Sequence, residues 1–135
     1  MKRILVVDDN ETFRLPLRAT LQSAGYEVET ASEGGLAVKL HRERPFDLVI
    51  TDIRMPGLTG LDVLSAAKKL RGEMPVIVIT AFGGEEVCRR SIARGADGYL
   101  EKPIHFQKLR SLIHDLISPK QMKIEREGSN DIACT

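Results

Sequence analysis

The most informative segment of the chain reads LVITDIRMPG and covers residues 48–57. Its first four residues are apolar or β-branched, which is typical of a short buried strand, and the Met-Pro-Gly at its end indicates a turn. Asp52 lies between the strand and the turn. Because helix-flanked sheets bind ligands at the carboxyl ends of their strands, this carboxylate is expected to face a crevice. The alternative is that Asp52 only begins the turn, through side-chain bonds to nearby backbone.

Length and charge limit the classes of protein to consider. The 135 residues suffice for one domain with one core, and 20 Lys and Arg against 19 Asp and Glu give a net charge of +1. No global field therefore draws the chain onto nucleic acid or an anionic membrane. The two cysteines have no CxxC spacing, which is typical of a reduced intracellular protein, and no apolar run has the length of a signal peptide core or a membrane span. We expect a cytoplasmic protein without direct nucleic acid or membrane contact.

Apolar runs alternate with helical patterns five times along the chain. The predicted strands cover residues 4–7, 26–31, 48–51, 75–80 and 99–101. Those at 4–7, 48–51 and 75–80 are mainly apolar, 26–31 alternates in the manner of an edge strand, and 99–101 is very short. Five strand–helix units with apolar central strands predict an α/β fold, a doubly wound parallel sheet with helices on both faces. From Pro119 the composition becomes polar, so residues 119–135 are expected to be a tail or the start of a linker after a domain of residues 1–118.

Several residues qualify the predicted helices. Asn10 and Ser32 are expected to cap the first and second helices. Pro16 and the Gly34-Gly35 pair are expected to distort or weaken them. Other charged and titratable residues are interpreted as solvated surface. These are Lys68, Lys69, Arg71, His41, His105 and His114.

Polar residues stand at four of the predicted strand ends. Asp8 and Asp9 follow the first strand, Asp52 the third, Thr80 ends the fourth and Lys102 follows the fifth. In a parallel sheet these ends meet at one edge, so the five residues converge on one crevice. Three carboxylates at close quarters need a cation, and an all-oxygen site suits Mg²⁺, with Mn²⁺ as an alternative. A carboxylate nucleophile, a hard metal, a hydroxyl and an ammonium are together what phosphoryl transfer needs.

On these residues the chain closely resembles the receiver domain of two-component response regulators, over about residues 1–118. The matching motifs are Val7-Asp8-Asp9-Asn10, Asp52 with Met55-Pro56-Gly57 and Gly60 after it, Thr80-Ala81, Tyr99 and Lys102-Pro103. The resemblance implies the flavodoxin-like strand order 2-1-3-4-5. It also implies a phosphoacceptor that assists its own phosphorylation and dephosphorylation rather than a dedicated enzyme.

The resemblance assigns a role to each matched residue of the crevice. Asp52 would accept a phosphoryl group from a histidine kinase or phosphotransfer protein. Asp8, Asp9, Asp52 and the backbone carbonyl of Arg54 would hold Mg²⁺. Lys102 would pair with the phosphoryl group. The Lys102–Pro103 peptide bond is expected to be cis, because this swings the lysine amine back into the crevice.

A conformational switch is also implied by the resemblance. Thr80 would move to hydrogen-bond the phosphoryl group, and Tyr99 would then change rotamer and remodel the face made by the fourth helix, fifth strand and fifth helix. That face would signal to an output domain or a protein partner, and homodimerisation on phosphorylation is a further expectation. The loop after Asp52 is reminiscent of receivers that head transcription activators of the nitrogen-regulatory type.

Two further residues are expected to tune how long the phosphoryl group survives. Arg54 lies two residues beyond Asp52 and Phe82 two beyond Thr80, and in similar receivers these positions guide or exclude the hydrolytic water. Neither side chain offers a carboxylate or an amide to orient water, so slow loss of phosphate is expected. The alternative is that both point into solvent and have no effect.

Two other functions remain as alternatives. Haloacid-dehalogenase-like phosphatases also use an Asp nucleophile with Mg²⁺, Thr and Lys, but their two acids are two residues apart at the end of the first strand. Here Asp8 and Asp9 are adjacent and no cap insertion is visible. A degenerate receiver used only for docking is the second alternative, and the complete set of five residues argues against it.

Overall fold

The computed structural model describes residues 1–55 and 57–117. The elements in chain order are β1 Arg3–Val7, α1 Glu11–Ser23, β2 Glu27–Ala31, α2 Gly34–Glu43, β3 Leu48–Thr51, α3 Gly60–Leu70, β4 Val76–Thr80, α4 Glu85–Ala93, β5 Gly98–Glu101 and α5 Phe106–Ile117. The predicted tail of residues 119–135 lies outside the described residues. Within the described ranges, none of the helices combines the length and the apolar character needed to cross a membrane.

All strand pairs of the sheet are parallel, and the strand order is β2-β1-β3-β4-β5. This confirms the predicted fold. Every residue of β1, β3 and β4 is buried, because helices cover both faces of the sheet, whereas β2 at the edge is only partly buried. The alternating side chains of β1 divide the core in two. Leu5 and Val7 pack with α2 and α3, and Ile4 and Val6 pack with α1 and α5.

The helix starts agree only in part with the predicted caps. Asn10 caps α1 as expected, since its side chain accepts a hydrogen bond from Thr12 N at 2.9 Å. Pro16 lies inside α1, which continues through it to Ser23. The prediction for Ser32 was wrong, because the residue that precedes α2 is Glu33, which makes no side-chain cap bond. A Cβ at Gly34 would overlap Leu58, so α2 begins where its backbone passes close to the β3–α3 loop.

Two residues that were interpreted as solvated, Lys68 and His41, are partly or fully buried, whereas Lys69 and Arg71 are exposed as expected. Lys68 Nζ donates to Asp97 Oδ2 at 2.7 Å and to a backbone carbonyl at 2.8 Å, and Arg71 donates to another carbonyl at 3.2 Å. His41 is 2% exposed, and burial, followed by the charge of Arg71, holds its pKa below the ordinary value. Helical spacing identifies the outward face of a helix but not the loops that pack against its end. His105 and His114 are exposed as expected.

Candidate functional site

The parallel register of the sheet brings three carboxylates together at its carboxyl edge. Val7 pairs with Thr51, so Asp8 and Asp52 follow two neighbouring strands at the same height. Asp52 N donates to Val7 O at 2.9 Å, which extends the ladder one residue beyond the strand. Oxygen atoms of Asp8, Asp9 and Asp52 all lie within 4.8 Å of one another. The structure therefore places the three predicted acids in one cluster.

The three acids differ in exposure and in hydrogen bonding. Asp8 is 1% exposed and Asp52 8%, whereas Asp9 is exposed. The Asp8 carboxylate accepts from Asn10 N at 2.9 Å, and Asp52 Oδ1 accepts from Ile53 N at 2.6 Å. These backbone bonds fix two of the carboxylates, while the third reaches solvent.

The electrostatics of the cluster are unbalanced. Burial, followed by the negative charge of Asp8, raises the pKa of the Asp52 carboxyl above its ordinary value, and the Lys102 ammonium and the Ile53 N–H oppose the rise. One ammonium thus faces three carboxylates. An all-oxygen set of this kind suits a small hard cation such as Mg²⁺, which would relieve the repulsion that remains.

Lys102 reaches the cluster from the end of β5. Its Nζ lies 2.8 Å from Asp8 Oδ2 and 3.4 Å from Asp52 Oδ2. The same nitrogen stands 4.1 Å from the centroid of the Phe13 ring. The Lys102–Pro103 peptide bond is cis. The ammonium thus lies between two carboxylates and the face of a phenyl ring.

Gly60 allows the close approach that shapes the floor of the crevice. A Cβ at this position would overlap the carbonyl oxygen of Asp52, and Gly60 N donates to Ile53 O at 2.8 Å. The start of α3 therefore packs directly on the backbone of Asp52 and Ile53. A side chain at position 60 would displace the residue that carries the central carboxylate.

Thr80 and Tyr99 have separate hydrogen-bond partners. Thr80 is 1% exposed, and its hydroxyl oxygen accepts from Phe82 N at 3.1 Å. The Tyr99 hydroxyl donates to Glu101 Oε2 at 3.1 Å and accepts from Gly84 N at 3.3 Å. Thr80 lies at the carboxyl edge near the acids, whereas Tyr99 is tied to the start of α4.

Arg54 and Phe82 contact each other at the rim of the crevice. The central carbon of the Arg54 guanidinium lies 4.7 Å from the centroid of the Phe82 ring, within the range of a cation–π contact. Phe82 is 61% exposed. The two residues expected to control access of water therefore form one stacked pair between the loops after β3 and β4.

A groove of about 600 Å³ runs between α4 and α5 over β5. Its lining residues are Gly84, Glu85, Cys88, Tyr99, Leu100, Glu101, Pro103, Ile104, His105 and Lys108. Tyr99 and Glu101, whose side chains are joined by a hydrogen bond, both line this groove. The face on which a switch is expected is thus concave and adjoins the crevice through β5.

Residues 4–114 match the family model of the response regulator receiver domain. The chain belongs to this family. Receivers are signalling regulators of two-component systems rather than dedicated enzymes, and they bind Mg²⁺ at an acidic pocket. Membership of a signalling family weighs against the phosphatase alternative.

Two curated relatives contain the receiver in different settings. The chain is 36% identical over 115 residues to the transcriptional regulatory protein ZraR of Escherichia coli O157:H7, a match that covers 85% of the chain and 26% of ZraR. It is 34% identical over 118 residues to the chemotaxis protein CheY of Halobacterium salinarum, which covers 87% of the chain and 98% of CheY. The receiver thus spans about a quarter of the length of ZraR and nearly all of CheY.

A similar solved structure is the response regulator TrrA of Thermotoga maritima in complex with Mg²⁺–BeF. It aligns with a TM-score of 0.79 and 39% identity, and the alignment covers 86% of this chain and 99% of TrrA. The two proteins therefore share much of their sequence as well as their fold.

Sequence reasoning missed two residues of the site. Phe13 was not among the predicted site residues, yet its ring faces Lys102. Glu101 was treated as the last residue of a strand, yet it bonds the Tyr99 hydroxyl. The alternation along β5 could have indicated Glu101, since Tyr99 and Glu101 lie two residues apart and share a face of the sheet. For Phe13 the sequence carries no comparable signal.

Proposed function

We propose that this receiver accepts a phosphoryl group on Asp52 from the phosphohistidine of a histidine kinase or phosphotransfer protein, in a reaction that needs Mg²⁺. The observation that carries the proposal is the cluster of three carboxylates within 4.8 Å with the Lys102 ammonium between Asp8 and Asp52. In the transfer, an oxygen of Asp52 forms a bond to phosphorus, the phosphorus–nitrogen bond breaks, and its electron pair stays on the imidazole.

The orientation of Asp52 supports its role as the nucleophile. Ile53 N–H holds Oδ1 at 2.6 Å, which leaves Oδ2 directed toward Lys102 at 3.4 Å. Attack by Oδ2 would place the transferred oxygens beside the ammonium, which pairs with their charge. Burial of Asp52 limits the access of competing water.

The metal site of the proposal is made of Asp8, Asp9, Asp52 and the backbone carbonyl of Arg54. Carboxylate and carbonyl oxygens are the ligands that Mg²⁺ prefers, and Mn²⁺ can replace it in such sites. The bound ion would neutralise the carboxylates and the phosphoryl oxygens. Asp9 is the exposed member of the set and lies where an ion would enter from solvent.

The switch of the proposal begins at Thr80. Its hydroxyl oxygen already accepts a bond from Phe82 N, so its hydrogen is available to donate to a phosphoryl oxygen. Tyr99 follows by giving up its bonds to Glu101 and Gly84, which leaves the start of α4 held through the bond from Gly84 N to Glu101 Oε2 at 2.9 Å and reshapes the groove between α4 and α5. Phosphate thereby shifts an equilibrium between two arrangements of this face.

The relatives support two proposals for the output of the switch. ZraR is a transcriptional regulatory protein of which a receiver forms about a quarter, so control of transcription through an output domain is the function we propose. The match to nearly the whole of CheY favours a second candidate, a receiver that acts directly on a protein partner. Dimerisation through the α4–β5–α5 face is compatible with either. Response regulators act in the cytoplasm, and we assign residues 1–118 as the receiver and 119–135 as a tail or linker.

Intact-mass measurement after incubation with acetyl phosphate tests the proposal. We expect one added phosphoryl group on the wild type with Mg²⁺, none with a chelator, and none on Asp52→Asn, which keeps the shape of the carboxylate without its nucleophilic charge. Asp47→Asn is the matched control, because the Asp47 carboxylate accepts from Arg3 N at the opposite edge of the sheet, far from the crevice. Equal labelling of wild type and Asp52→Asn, or labelling that survives chelation, would contradict the proposal.

A further inference from the structure

We propose that Phe13 is a positioning residue that holds the Lys102 ammonium in the crevice through a cation–π contact. The inference rests on the proposed phosphoryl transfer, in which Lys102 pairs with the transferred group. Lys102 Nζ lies 4.1 Å from the centroid of the Phe13 ring, well inside the distance of about 6 Å at which the ring face attracts a cation.

The ring is held on the same segment that carries the acids. Phe13 N donates to Asn10 O at 3.1 Å, and the Asn10 side chain caps α1 through Thr12. Phe13 is partly buried and packs against the core cluster shared by α1 and α5. Its position relative to Asp8 is thereby fixed by the first turn of α1, and one short segment sets both an anionic and an aromatic wall beside Lys102.

The ring attracts the ammonium without taking one of its hydrogen bonds. A lysine ammonium has three N–H donors, of which one faces Asp8 at 2.8 Å and one faces Asp52 at 3.4 Å. The π face leaves the third donor for a phosphoryl oxygen. A carboxylate or hydroxyl at position 13 would accept that donor and compete with the phosphoryl group.

The contact gains importance when the acids are neutralised. In the proposed loaded state a divalent cation takes up the charge of Asp8 and Asp52, so their attraction for Lys102 falls. The attraction of the Phe13 face does not depend on those carboxylates. It keeps a long side chain with several rotatable bonds near the crevice at the step when its position matters.

The first test detects the contact itself, without metal or phosphodonor. Ring currents from Phe13 should move the NMR signals of the protons next to the Lys102 nitrogen upfield in the full chain. We expect the shift to persist in Phe13→Tyr and to vanish in Phe13→Leu. Phe106→Leu is the matched control, because Phe106 packs against the same core cluster and should leave the shift unchanged. An unshifted Lys102 signal in the wild type would overturn the inference.

The second test separates cation–π attraction from packing. Mono-, di- and trifluorinated phenylalanine at position 13 progressively weaken the negative ring face with little change in volume. The rate of phosphorylation by acetyl phosphate and the affinity for beryllofluoride should fall stepwise along the series, by about tenfold in total. The same series at position 106 should be flat. A flat series at position 13 overturns the inference.

The two proposals fail in different ways. If the wild type is phosphorylated on Asp52 but the ring-current shift is absent or the fluorine series is flat, only the role of Phe13 is wrong. If the wild type takes up no phosphoryl group, the proposed function is wrong and the inference about Phe13 falls with it, even where the NMR contact is present.

Discussion

Buried charge is compensated differently at the two ends of the strands, which we call the amino edge and the carboxyl edge of the sheet. At the amino edge, Arg3 is 7% exposed and donates from every guanidinium nitrogen, to Glu27, Glu29 and the carbonyls of Arg44 and Pro45. At the carboxyl edge, three carboxylates share one ammonium. The amino edge is balanced within the protein and holds the fold together. The carboxyl edge is left with excess negative charge, which a bound cation or a proton would relieve.

The largest expected effect comes from breaking the balanced edge. Arg3→Ala leaves two carbonyls without this donor, removes the packing of Arg3 on Phe46 and leaves Glu27 with Arg44 alone at 3.7 Å. Because Glu27 and Glu29 are partly exposed to water, we expect the free energy of unfolding to fall by roughly 2–3 kcal/mol, mainly from the carbonyls and the lost packing. Chemical denaturation measures the change. Arg3→Met keeps most of the packing on Phe46, which lies 4.2 Å from the Arg3 guanidinium, and separates the charge from the contact area. The exposed Arg18→Ala serves as control at within about 0.5 kcal/mol. An Arg3→Ala variant as stable as Arg18→Ala would contradict the claim that the contacts of Arg3 stabilise the fold.

The opposite sign is expected when the unbalanced edge is relieved. Asp52→Asn removes one of three carboxylates and should raise the free energy of unfolding in metal-free buffer at pH 7 by about 1 kcal/mol. Because the folded pKa of Asp52 is raised, the folded state binds more protons than the unfolded state between about pH 4 and the folded pKa. Stability of the wild type therefore falls as the pH rises through that window.

The pH dependence supplies the control for this variant. The advantage of Asp52→Asn should be absent below about pH 4 and complete above the folded pKa. Added Mg²⁺ should stabilise the wild type more than the variant, because the ion binds the folded carboxylate cluster. A variant that is less stable than the wild type in chelator at pH 7 would show that the crevice is balanced without a ligand.

The smallest effect is expected from the stacked pair at the rim. Arg3 over Phe46 is buried, whereas Arg54 over Phe82 is exposed and contributes less. Arg54→Asn and Phe82→Glu should each speed loss of the phosphoryl group by about two- to fivefold, since either change opens the shared cover and offers water a polar group. Decay of phosphorylated protein after removal of the donor measures the rates.

The double variant tests whether the pair acts as one unit. If the pair acts as one unit, Arg54→Asn with Phe82→Glu should lose phosphate more slowly than the product of the two single effects, because either change alone already breaks the contact. A rate equal to the product would show that the two side chains act independently. If no substitution speeds decay, the two side chains do not shield the crevice.

The sequence was sufficient for the sheet and for the residues that gather at its carboxyl edge. Apolar runs at 4–7, 48–51 and 75–80, bounded by turn residues, favour buried strands, and the backbone carries a polar residue at the end of such a run to the edge of the sheet. The sequence does not indicate which side chains from distant segments contact each other. Phe13 and Lys102, and Lys68 and Asp97, meet only after distant segments have packed.

Local patterns also misjudged His41 and the start of α2. A histidine on an amphipathic helix is usually exposed, but His41 is enclosed because Phe46 stacks against it and donates its N–H to Nδ1 at 3.3 Å. Ser32 has the chemistry of a cap, but the close approach of Gly34 to Leu58 sets where the helix begins. In both cases a tertiary contact overrides a local preference.

The packing of α4 has a consequence for where the molecule opens first. Only Cys88 and Ser91 of its nine residues are buried, and Gly84 before it has no side chain to cap the helix. A helix of this length has little stability of its own, so we expect a small free energy for the local opening of α4. For β4, in the core, the opening free energy should be close to the free energy of global unfolding. Amide protons of α4 should exchange with deuterium faster than those of the central strands, and they should exchange together as one cooperative unit. We therefore expect the open states of α4, the element beside Tyr99, to respond to a chemical event in the crevice.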